Sequence, residues 1–296
     1  MGKALIILAP GGLGNQLFTV AAALHISEKK QKLIFVLSDS RELVNKFRKI
    51  RNSGIAPIKL RVVYSKKLNL WLNKISSHVS IIAKDFPKIE KFIIRKFRTE
   101  LVPWKFPNEI LQTQSPSFWI LRGYFQDIGL LNELSASSTD ALARLLDFDL
   151  TTEPLDRTTE LKSVGVHVRR GDYASIPDYG VLSTSYFQRL ISHYSADNSL
   201  VMIASDDSSI FETFRVKGSS IFLDAKSFSP LETMKILGKS DVFIMSNSTF
   251  SFWVGWLVNL KGGIVIRPNP WFKANDVPEN YLLLNKFIDS PSQFEE

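Results

Sequence analysis

The fold class rests on the stretch ALIILAPGGLGNQ, residues 4–16, in which an apolar run meets a glycine-rich turn. Residues 4–9 have the length and composition of a buried strand, and apolar residues recur at helical spacing over 15–29. A second apolar run, 33–37, supplies the next strand. This order of strand, turn, helix and strand is typical of an α/β fold with a parallel sheet.

The same alternation continues along the chain and predicts two lobes. The patterns predict a helical segment at 69–80, a proline-bounded segment at 89–97, strands at 118–121, 164–168, 200–204 and 242–245, and helices at 185–193, 208–214, 230–237 and 250–260. Ser229, Pro230 and Glu232 form a helix start of the capping-box type. The threonine-rich stretch 150–159 interrupts the periodicity, so we divide the chain into an N-terminal lobe, 1–155, and a C-terminal lobe, 156–296.

The composition limits the chemistry that is available. With 296 residues and 45% hydrophobic content, the chain can bury a sizeable core. The absence of cysteine excludes a disulfide framework, a thiolate metal site and a cysteine nucleophile. No stretch reaches the roughly 18 uninterrupted apolar residues that a spanning helix requires, so we expect a soluble or peripheral cytoplasmic protein.

Charge is distributed unevenly along the chain. Residues 29–105 hold 20 Lys and Arg against five Asp and Glu, although the net charge of the whole chain is only +8. This asymmetry is typical of contact with a polyanion or an anionic membrane, and equally of a solvated basic face. Nucleic acid is disfavoured as a partner, because the aromatic residues of this segment fit helix-face core positions rather than a stacking surface.

One predicted strand delivers a group of charged side chains to its end. Residues 164–173 read VGVHVRRGDY, which places His167, Arg169, Arg170 and Asp172 at or after the end of an apolar run. Two adjacent guanidinium groups suit a diphosphate, because each offers forked donors and a permanent charge. Asp172 is a candidate to orient an arginine or to accept a proton. The alternative is a surface turn with incidental ion pairs.

Two further polar clusters follow later strands. Asp206 and Asp207 come after the strand 200–204, where a carboxylate can bind a ribose hydroxyl or a base edge, or can cap the next helix. Residues 246–249, SNST, precede an aromatic helix, where hydroxyls and backbone amides can bind an anion or simply cap the helix. The arginines and this hydroxyl-rich turn together favour a nucleoside diphosphate.

The glycine turn is weaker evidence for a ligand site than the charged and hydroxyl-rich clusters. Residues 11–16 leave a strand and enter a helix, so their amides can approach a phosphate or a sugar, or form no more than a tight turn. The loop lacks the third glycine of a dinucleotide fingerprint, and the chain contains no P-loop sequence. These two absences disfavour an NAD site and a P-loop site.

Metal binding is also disfavoured. Asp147-Phe148-Asp149 has the D-x-D pattern that can hold a divalent cation, but it sits at the end of a predicted helix just before the lobe boundary. The arginine and hydroxyl clusters can neutralise a diphosphate without a metal. His25, His78 and His193 lack metal-ligand spacing, so we expect no metal site.

Taken together, these motifs resemble those of the alpha-1,2-fucosyltransferases of glycosyltransferase family eleven. The matching stretches occur in family order: 11–18 (GGLGNQLF), 123–126 (GYFQ), 167–173 (HVRRGDY), 204–207 (ASDD) and 246–253 (SNSTFSFW). The H-x-R-R-x-D and S-N-S-[ST]-F-S-x-W elements are the specific ones. Two departures, Phe252 in place of the usual tryptophan and Val254-Gly255 in place of a pair of small residues, lie on the packing side of a helix.

The resemblance implies a GT-B architecture of two Rossmann-like α/β/α lobes with the active site in the cleft between them. It implies an inverting galactoside 2-alpha-L-fucosyltransferase that uses GDP-beta-L-fucose and needs no metal or other cofactor. Arg169 and Arg170 would bind the diphosphate, with His167 and Asp172 as candidate bases. Further donor contacts are implied for Gly12, Gly14, Asn15, Gln16, Asp206, Asp207, Ser246, Asn247, Ser248 and Thr249.

The setting typical of this resemblance is bacterial O-antigen or other surface-polysaccharide synthesis. There the acceptor would be a lipid-linked glycan, and the basic lobe would rest on the inner face of the plasma membrane. Acceptor choice is expected in the segment 62–116, which matches no pattern of the family. The alternatives are a fucosyltransferase of another linkage or with a protein acceptor, and a non-catalytic sugar-nucleotide or glycan-binding protein.

Overall fold

The computed structural model describes residues 4–9, 11–30, 33–56, 59–64, 97–102, 118–150, 163–274, 281–284 and 286–295. The chain forms two compact units, Met1–Leu145 and Leu146–Glu296. The lobe boundary predicted between residues 155 and 156 lies outside the described residues. The segment predicted at 69–80 and nearly all of that at 89–97 lie outside them too.

The N-terminal unit contains, in its described part, a parallel sheet with the strand order β3-β2-β1-β5-β4. The strands are β1 (Ala4–Leu8), β2 (Leu33–Ser38), β3 (Leu60–Tyr64), β4 (Phe97–Val102) and β5 (Phe118–Gly123). The helices are α1 (Leu13–Lys30), α2 (Arg41–Asn52), α3 (Ile128–Asn132) and α4 (Ala136–Leu145). The strand order reverses between β1 and β5, and the carboxyl ends at such a reversal border the crevice in which doubly wound sheets bind ligands.

The C-terminal unit contains a second parallel sheet, in the order β11-β10-β9-β6-β7-β8. Its strands are β6 (Ser163–Val168), β7 (Leu200–Ser205), β8 (Ser219–Asp224), β9 (Val242–Ile244), β10 (Ile264–Asn269) and β11 (Phe287–Pro291). Its α-helices are α5 (Thr184–Tyr194), α6 (Pro230–Leu237) and α7 (Thr249–Leu260), and 3-10 helices span Gly171–Ser175 and Ser208–Thr213. Here the strand order reverses between β6 and β9.

Helices cover the sheet of the C-terminal unit, which explains why its central strands read as continuous apolar runs. Val166 of β6 and Ile203 of β7 are fully buried in one cluster with Phe187 of α5. On α7, Phe252 is fully buried, and a Cβ added to Gly255 would lie 3.0 Å from Val265 Cγ1. The two family departures on α7 therefore belong to the packing of this helix.

Most predicted elements that fall on described residues are confirmed, with ends shifted by one or two residues. The capping box between Ser229 and Glu232 is present, and α6 begins and ends as predicted. The segment predicted as a helix at 208–214 forms a 3-10 helix. The prediction did not include the helices α2 and α3, the 3-10 helix Gly171–Ser175, or the strands β3, β4, β8, β10 and β11. No helix in the described part of the chain is both long and apolar enough to cross a membrane.

Candidate functional site

The ends of β6 and β9 meet where the strand order of the C-terminal unit reverses. The backbone N–H of Arg169, directly after β6, donates to Ser246 Oγ at 3.3 Å. Ser246 is fully buried, and its own N–H donates to Ser251 Oγ of α7 at 3.1 Å. Two motifs that are distant in the sequence therefore border one crevice, at the position where parallel α/β sheets bind ligands.

Two carboxylates hold the guanidinium group of Arg169. Asp206 Oδ2 lies 2.7 Å from Nη1, and Asp172 pairs with Nη2. The other oxygen of Asp206 accepts the backbone N–H of Arg170 at 2.8 Å, so this carboxylate is anchored through both oxygens. The side chain of Asp172 is 60% exposed. One side of the guanidinium is thus fixed, while the other is paired with a group that an incoming anion can replace.

The glycine of the R-R-G-D sequence makes this arrangement possible. A Cβ added to Gly171 would lie 2.4 Å from Asp206 Oδ2. That separation is well inside van der Waals contact, so a side chain here would force the carboxylate away from Arg169. We infer that packing against Asp206 requires glycine at this position.

The adjacent Arg170 points to different partners. Its Nη1 pairs with Glu295 near the C-terminus, and its Nη2 donates to Thr184 Oγ1 at 3.0 Å. The backbone N–H of Glu295 in turn donates to Val181 O at 2.8 Å. The sequence interpretation assigned both arginines to the diphosphate, but the two side chains diverge. The diphosphate contact predicted for Arg170 stays a prediction.

Hydrogen bonds of Asn247 hold the turn before α7 in place. Asn247 is fully buried, and its Nδ2 donates to the carbonyl oxygens of Tyr179 and Gly180, each at 3.0 Å. Tyr173 Oη donates to Asn247 O at 3.0 Å, and burial raises the pKa of this phenol above its usual value, which keeps it a donor. The Asn247 amide is thus used within the protein, and a donor contact for it stays a prediction.

The hydroxyl-rich turn caps α7. Ser248 is the N-cap residue, with Oγ accepting the N–H of Ser251 at 3.2 Å, and the helix begins at Thr249. Capping, one of the two roles considered for this turn, is therefore present. The same geometry brings the positive end of the helix dipole to the crevice, which favours an anion there.

His167 lies on β6, beneath this edge of the sheet. Its Nδ1 lies 2.6 Å from Ser251 Oγ, and its ring centroid lies 4.6 Å from that of Phe250. Burial and, to a smaller extent, the charge of Arg169 lower the pKa of His167 to about 3. The imidazole is therefore neutral near pH 7 and supports the first turn of α7. Its role as a base stays a prediction.

The two aspartates after β7 have different contacts. Asp207 is the N-cap of the 3-10 helix Ser208–Thr213, and its carboxylate accepts from the hydroxyl and the backbone N–H of Ser209. These hydrogen bonds lower the pKa of Asp207. Asp206 instead pairs with Arg169. Capping therefore applies to Asp207, and a contact of either residue with guanosine stays a prediction.

In the N-terminal unit, the glycine loop and the segment after β5 also meet at a reversal of strand order. Asn15 Oδ1 accepts a hydrogen bond from Gln126 Nε2 at 2.9 Å. Gly11 has φ +77°, and an added Cβ would lie 2.7 Å from Asn15 Nδ2, so both the backbone and the contact require glycine. Gly12 is exposed and Gly14 is buried. Their donor contacts stay predictions.

Gln16 points into the protein. Its side chain is 3% exposed, and Nε2 donates to Gly11 O at 3.0 Å and to Asp39 Oδ1 at 2.5 Å. Its Oε1 accepts from Ser38 Oγ at 2.7 Å. These contacts fix the glycine turn from within, and the donor contact predicted for Gln16 stays a prediction.

Sequence interpretation missed several residues of these sites. Ser251 contacts His167 and the backbone of Ser246; it lies within the element 246–253 but was given no role of its own there. Asp39 and Glu295 had no recognisable signal, because each meets its partner only through the fold.

Within the ranges that the structure describes, no group of three or more His, Asp or Glu side chains could hold a metal ion. In the D-x-D sequence, the middle residue Phe148 is buried, and Lys261 Nζ lies 5.8 Å from the centre of its ring. The expectation that no metal is needed stays a prediction.

Comparisons with known proteins identify the family. Residues 4–282 match the profile of Glycosyl transferase family 11. The O-antigen biosynthesis glycosyltransferase WbnK of Escherichia coli is 26% identical over 90% of this chain and 94% of its own length. An alpha-1,2-colitosyltransferase of Escherichia coli is 29% identical over 42% of this chain and 48% of its own length.

A solved structure of a mutant of Arabidopsis thaliana FUT1 in complex with GDP aligns with 92% of this chain and 72% of its own, at TM-score 0.51 and 13% identity. This likeness concerns the fold alone. With the two parallel sheets, it confirms the predicted α/β architecture of GT-B type. The profile match, which extends over nearly the whole chain, shows that this protein belongs to glycosyl transferase family 11.

Proposed function

We propose that this glycosyltransferase moves L-fucose from GDP-beta-L-fucose to the C2 hydroxyl of a galactose-type acceptor, with inversion, in O-antigen synthesis. The family membership and the names of the two Escherichia coli relatives support the reaction class and the setting. The observation that carries the placement of the donor diphosphate is the position of Arg169. Its guanidinium is anchored by Asp206 beside Ser246, at the reversal of strand order.

In this proposal the diphosphate of the donor takes the position of Asp172 on Arg169 Nη2. Asp206 stays on Nη1 and keeps the guanidinium oriented, so little reorganisation is needed when the phosphate arrives. The N-terminus of α7 adds its dipole to the positive charge of the arginine. Both groups stabilise the negative charge that develops on the departing GDP.

The transfer breaks one bond and forms another. The acceptor oxygen attacks the anomeric carbon of fucose from the face opposite GDP. The bond from this carbon to the β-phosphate oxygen breaks, and its electron pair leaves with GDP. The acceptor oxygen passes its proton to Asp172, the better placed candidate base, and inversion converts the beta donor into an alpha product.

Leaving-group stabilisation carries most of the rate acceleration in this proposal. His167 is buried and neutral, and its Nδ1 lies within hydrogen-bonding distance of Ser251 Oγ. Asp172 is exposed, so it is the better placed of the two candidate bases. A loose, oxocarbenium-like transition state lowers the demand for a base, because little proton transfer is needed before the bond to GDP is nearly broken. The positive charge of Arg169 and the α7 dipole take the part that a divalent cation has in metal-dependent transferases, so we propose that the reaction needs no metal.

Product analysis tests this function. The protein is incubated with GDP-fucose and a panel of galactose-terminated oligosaccharides in EDTA, and the product linkage is read by NMR. We expect acceptor-dependent fucosylation at the C2 hydroxyl that persists in EDTA. Transfer from GDP-colitose and not from GDP-fucose would overturn the donor assignment, and transfer only after a divalent cation is restored would overturn the metal independence.

We also propose that the basic N-terminal unit rests on an anionic membrane that carries a lipid-linked acceptor. The support is the charge of residues 29–105, which hold 20 Lys and Arg against five Asp and Glu. Each basic group near such a surface contributes about 1 kcal/mol. Sedimentation with vesicles of phosphatidylglycerol and phosphatidylethanolamine should recover more protein than vesicles of neutral lipid. Equal recovery would count against the membrane contact.

A further inference from the structure

An exposed carboxylate at the ligand edge of the N-terminal sheet has no part in the proposed donor site. Asp39 directly follows β2, and β2 lies beside β1, whose end leads into the glycine turn. The carboxyl ends of adjacent parallel strands lie about 5 Å apart. Asp39 therefore belongs to the same edge of the sheet as the glycine turn and the crevice between β1 and β5.

Buried groups fix the orientation of this carboxylate. Gln16 Nε2 donates to both Gly11 O and Asp39 Oδ1, so the turn and the carboxylate share one buried nitrogen. Ser38, which is fully buried, donates through Oγ to Gln16 Oε1 at 2.7 Å and prevents the amide from turning over. A buried network that ends on an exposed carboxylate holds that group in one position before any ligand arrives.

Helix capping does not account for Asp39, and its contact with Gln16 uses only one of its two carboxylate oxygens. The N-cap of α2 is Ser40, whose Oγ accepts the N–H of Leu43 at 3.2 Å, so Asp39 is not needed to cap this helix. Among the described residues, Gln16 Nε2 alone donates a hydrogen bond to Asp39, and no Lys or Arg of that part of the chain pairs with it. The carboxylate can therefore accept further hydrogen bonds at its exposed side.

The same edge carries other groups suited to a sugar. Two strands along, after β5, Tyr124 is 47% exposed and Gln126 contacts Asn15 of the glycine turn. Two strand spacings correspond to about 10 Å. An oriented carboxylate accepts hydroxyl donors, and an exposed aromatic ring packs against the apolar face of a pyranose.

We infer that Asp39 accepts a hydrogen bond from a hydroxyl group of the acceptor sugar, so that the carboxyl edge of the N-terminal sheet forms an acceptor subsite. The inference rests on the proposed function, because it assigns the glycan acceptor of that reaction. It also makes Asp39 a determinant of specificity. A negative charge fixed at this edge favours a neutral hydroxylated sugar over one that carries a carboxylate.

Steady-state kinetics with lactose as the acceptor test this inference. Asp39→Asn keeps the shape of the side chain and can still accept from Gln16, but it removes the charge. The loss of a charged hydrogen bond should raise the KM for lactose about 10- to 100-fold. The Kd for GDP should stay within about twofold, because GDP binding reports on the donor site and Asp39→Asn can still accept from Gln16. Glu42→Gln is the matched control. Glu42 lies in the first turn of α2, so this substitution also removes a negative charge near the N-terminus of that helix.

The outcomes separate the two proposals. Failure of the wild-type protein to fucosylate any galactoside overturns the proposed function. Fucosylation by the wild type with an unchanged KM for lactose in Asp39→Asn overturns the acceptor subsite alone. An equal rise of KM in Asp39→Asn and Glu42→Gln also overturns it, because the effect would then come from the charge at the start of α2. A raised KM in Asp39→Asn with unchanged GDP affinity and thermal midpoint supports the subsite.

Discussion

Replacement of His167 by asparagine should change how the stability of the protein depends on pH. His167 is buried, and its pKa falls from an unfolded value of about 6.5 to about 3. Between these two values the unfolded chain binds a proton that the folded chain does not. At pH 8 the imidazole is neutral in both states, so its burial does not change the free energy of unfolding through proton binding. That free energy decreases as the pH falls from 6.5 towards 3. From the two pKa values, the loss between pH 8 and pH 5 is about 2 kcal/mol.

Urea unfolding at both pH values measures this effect. His167→Asn removes the titrating group and keeps a polar side chain near Ser251 Oγ. The difference in unfolding free energy between wild type and variant should shrink by about 2 kcal/mol from pH 8 to pH 5. His25, whose pKa burial also lowers, is present in both proteins and cancels in the comparison. His193→Asn, at an exposed position on α5, is the control for the replacement of a histidine by asparagine.

A pH-independent difference would refute the reasoning. It would mean that the imidazole becomes protonated in the folded protein near pH 6.5, as it does in the unfolded chain. The burial of His167 against Ser251 and Phe250 would then not exclude its charged form.

Three further predictions follow from other contacts of the C-terminal unit. Arg170→Lys and Glu295→Gln should each destabilise the protein, and urea unfolding of the double variant should show a coupling of about 0.5–3 kcal/mol, whereas additive losses would contradict their pairing. Gly171→Ala should raise the Kd for GDP about tenfold, or about 1.4 kcal/mol, because the added Cβ displaces Asp206; unchanged binding by calorimetry would contradict this. Ser248→Ala should lower the free energy of unfolding by about 1 kcal/mol through loss of the N-cap, and an equal stability would show that another group caps α7.

The strands and helices that sequence patterns predicted are those with strong local signals. The apolar runs of β1, β6 and β7 and the capping box of α6 need no knowledge of distant residues. Sequence patterns did not predict the strand β8, because it lies at a sheet edge. There Ile221 and Phe222 stay exposed, and the sequence shows no alternation of apolar and polar residues. The strand β10 was not predicted because Arg267 interrupts its apolar run. In the fold this arginine is buried, where it pairs with Asp289 of β11 and donates to Tyr281 O at 2.6 Å.

The site was predictable to a similar extent. The motifs themselves indicated that polar groups lie at strand ends, and Arg169, Asp172, Asp206 and Ser246 do meet. The meeting of Ser246 with Arg169 depends on the crossover that sets β9 beside β6, which the order of strands along the chain does not reveal. The divergence of Arg170 towards Glu295 was beyond sequence reasoning for the same reason, since 125 positions separate the pair.

The most direct test of the donor site is calorimetric titration of GDP into the wild-type protein and Arg169→Ala, in EDTA. Arg144→Ala, which removes another arginine paired with a carboxylate, is the control. The loss of charge-assisted hydrogen bonds to the diphosphate should raise the Kd of Arg169→Ala about 30- to 100-fold, with Arg144→Ala within about twofold of wild type. Wild-type affinity for GDP in a folded Arg169→Ala protein would contradict the placement of the diphosphate at the end of β6.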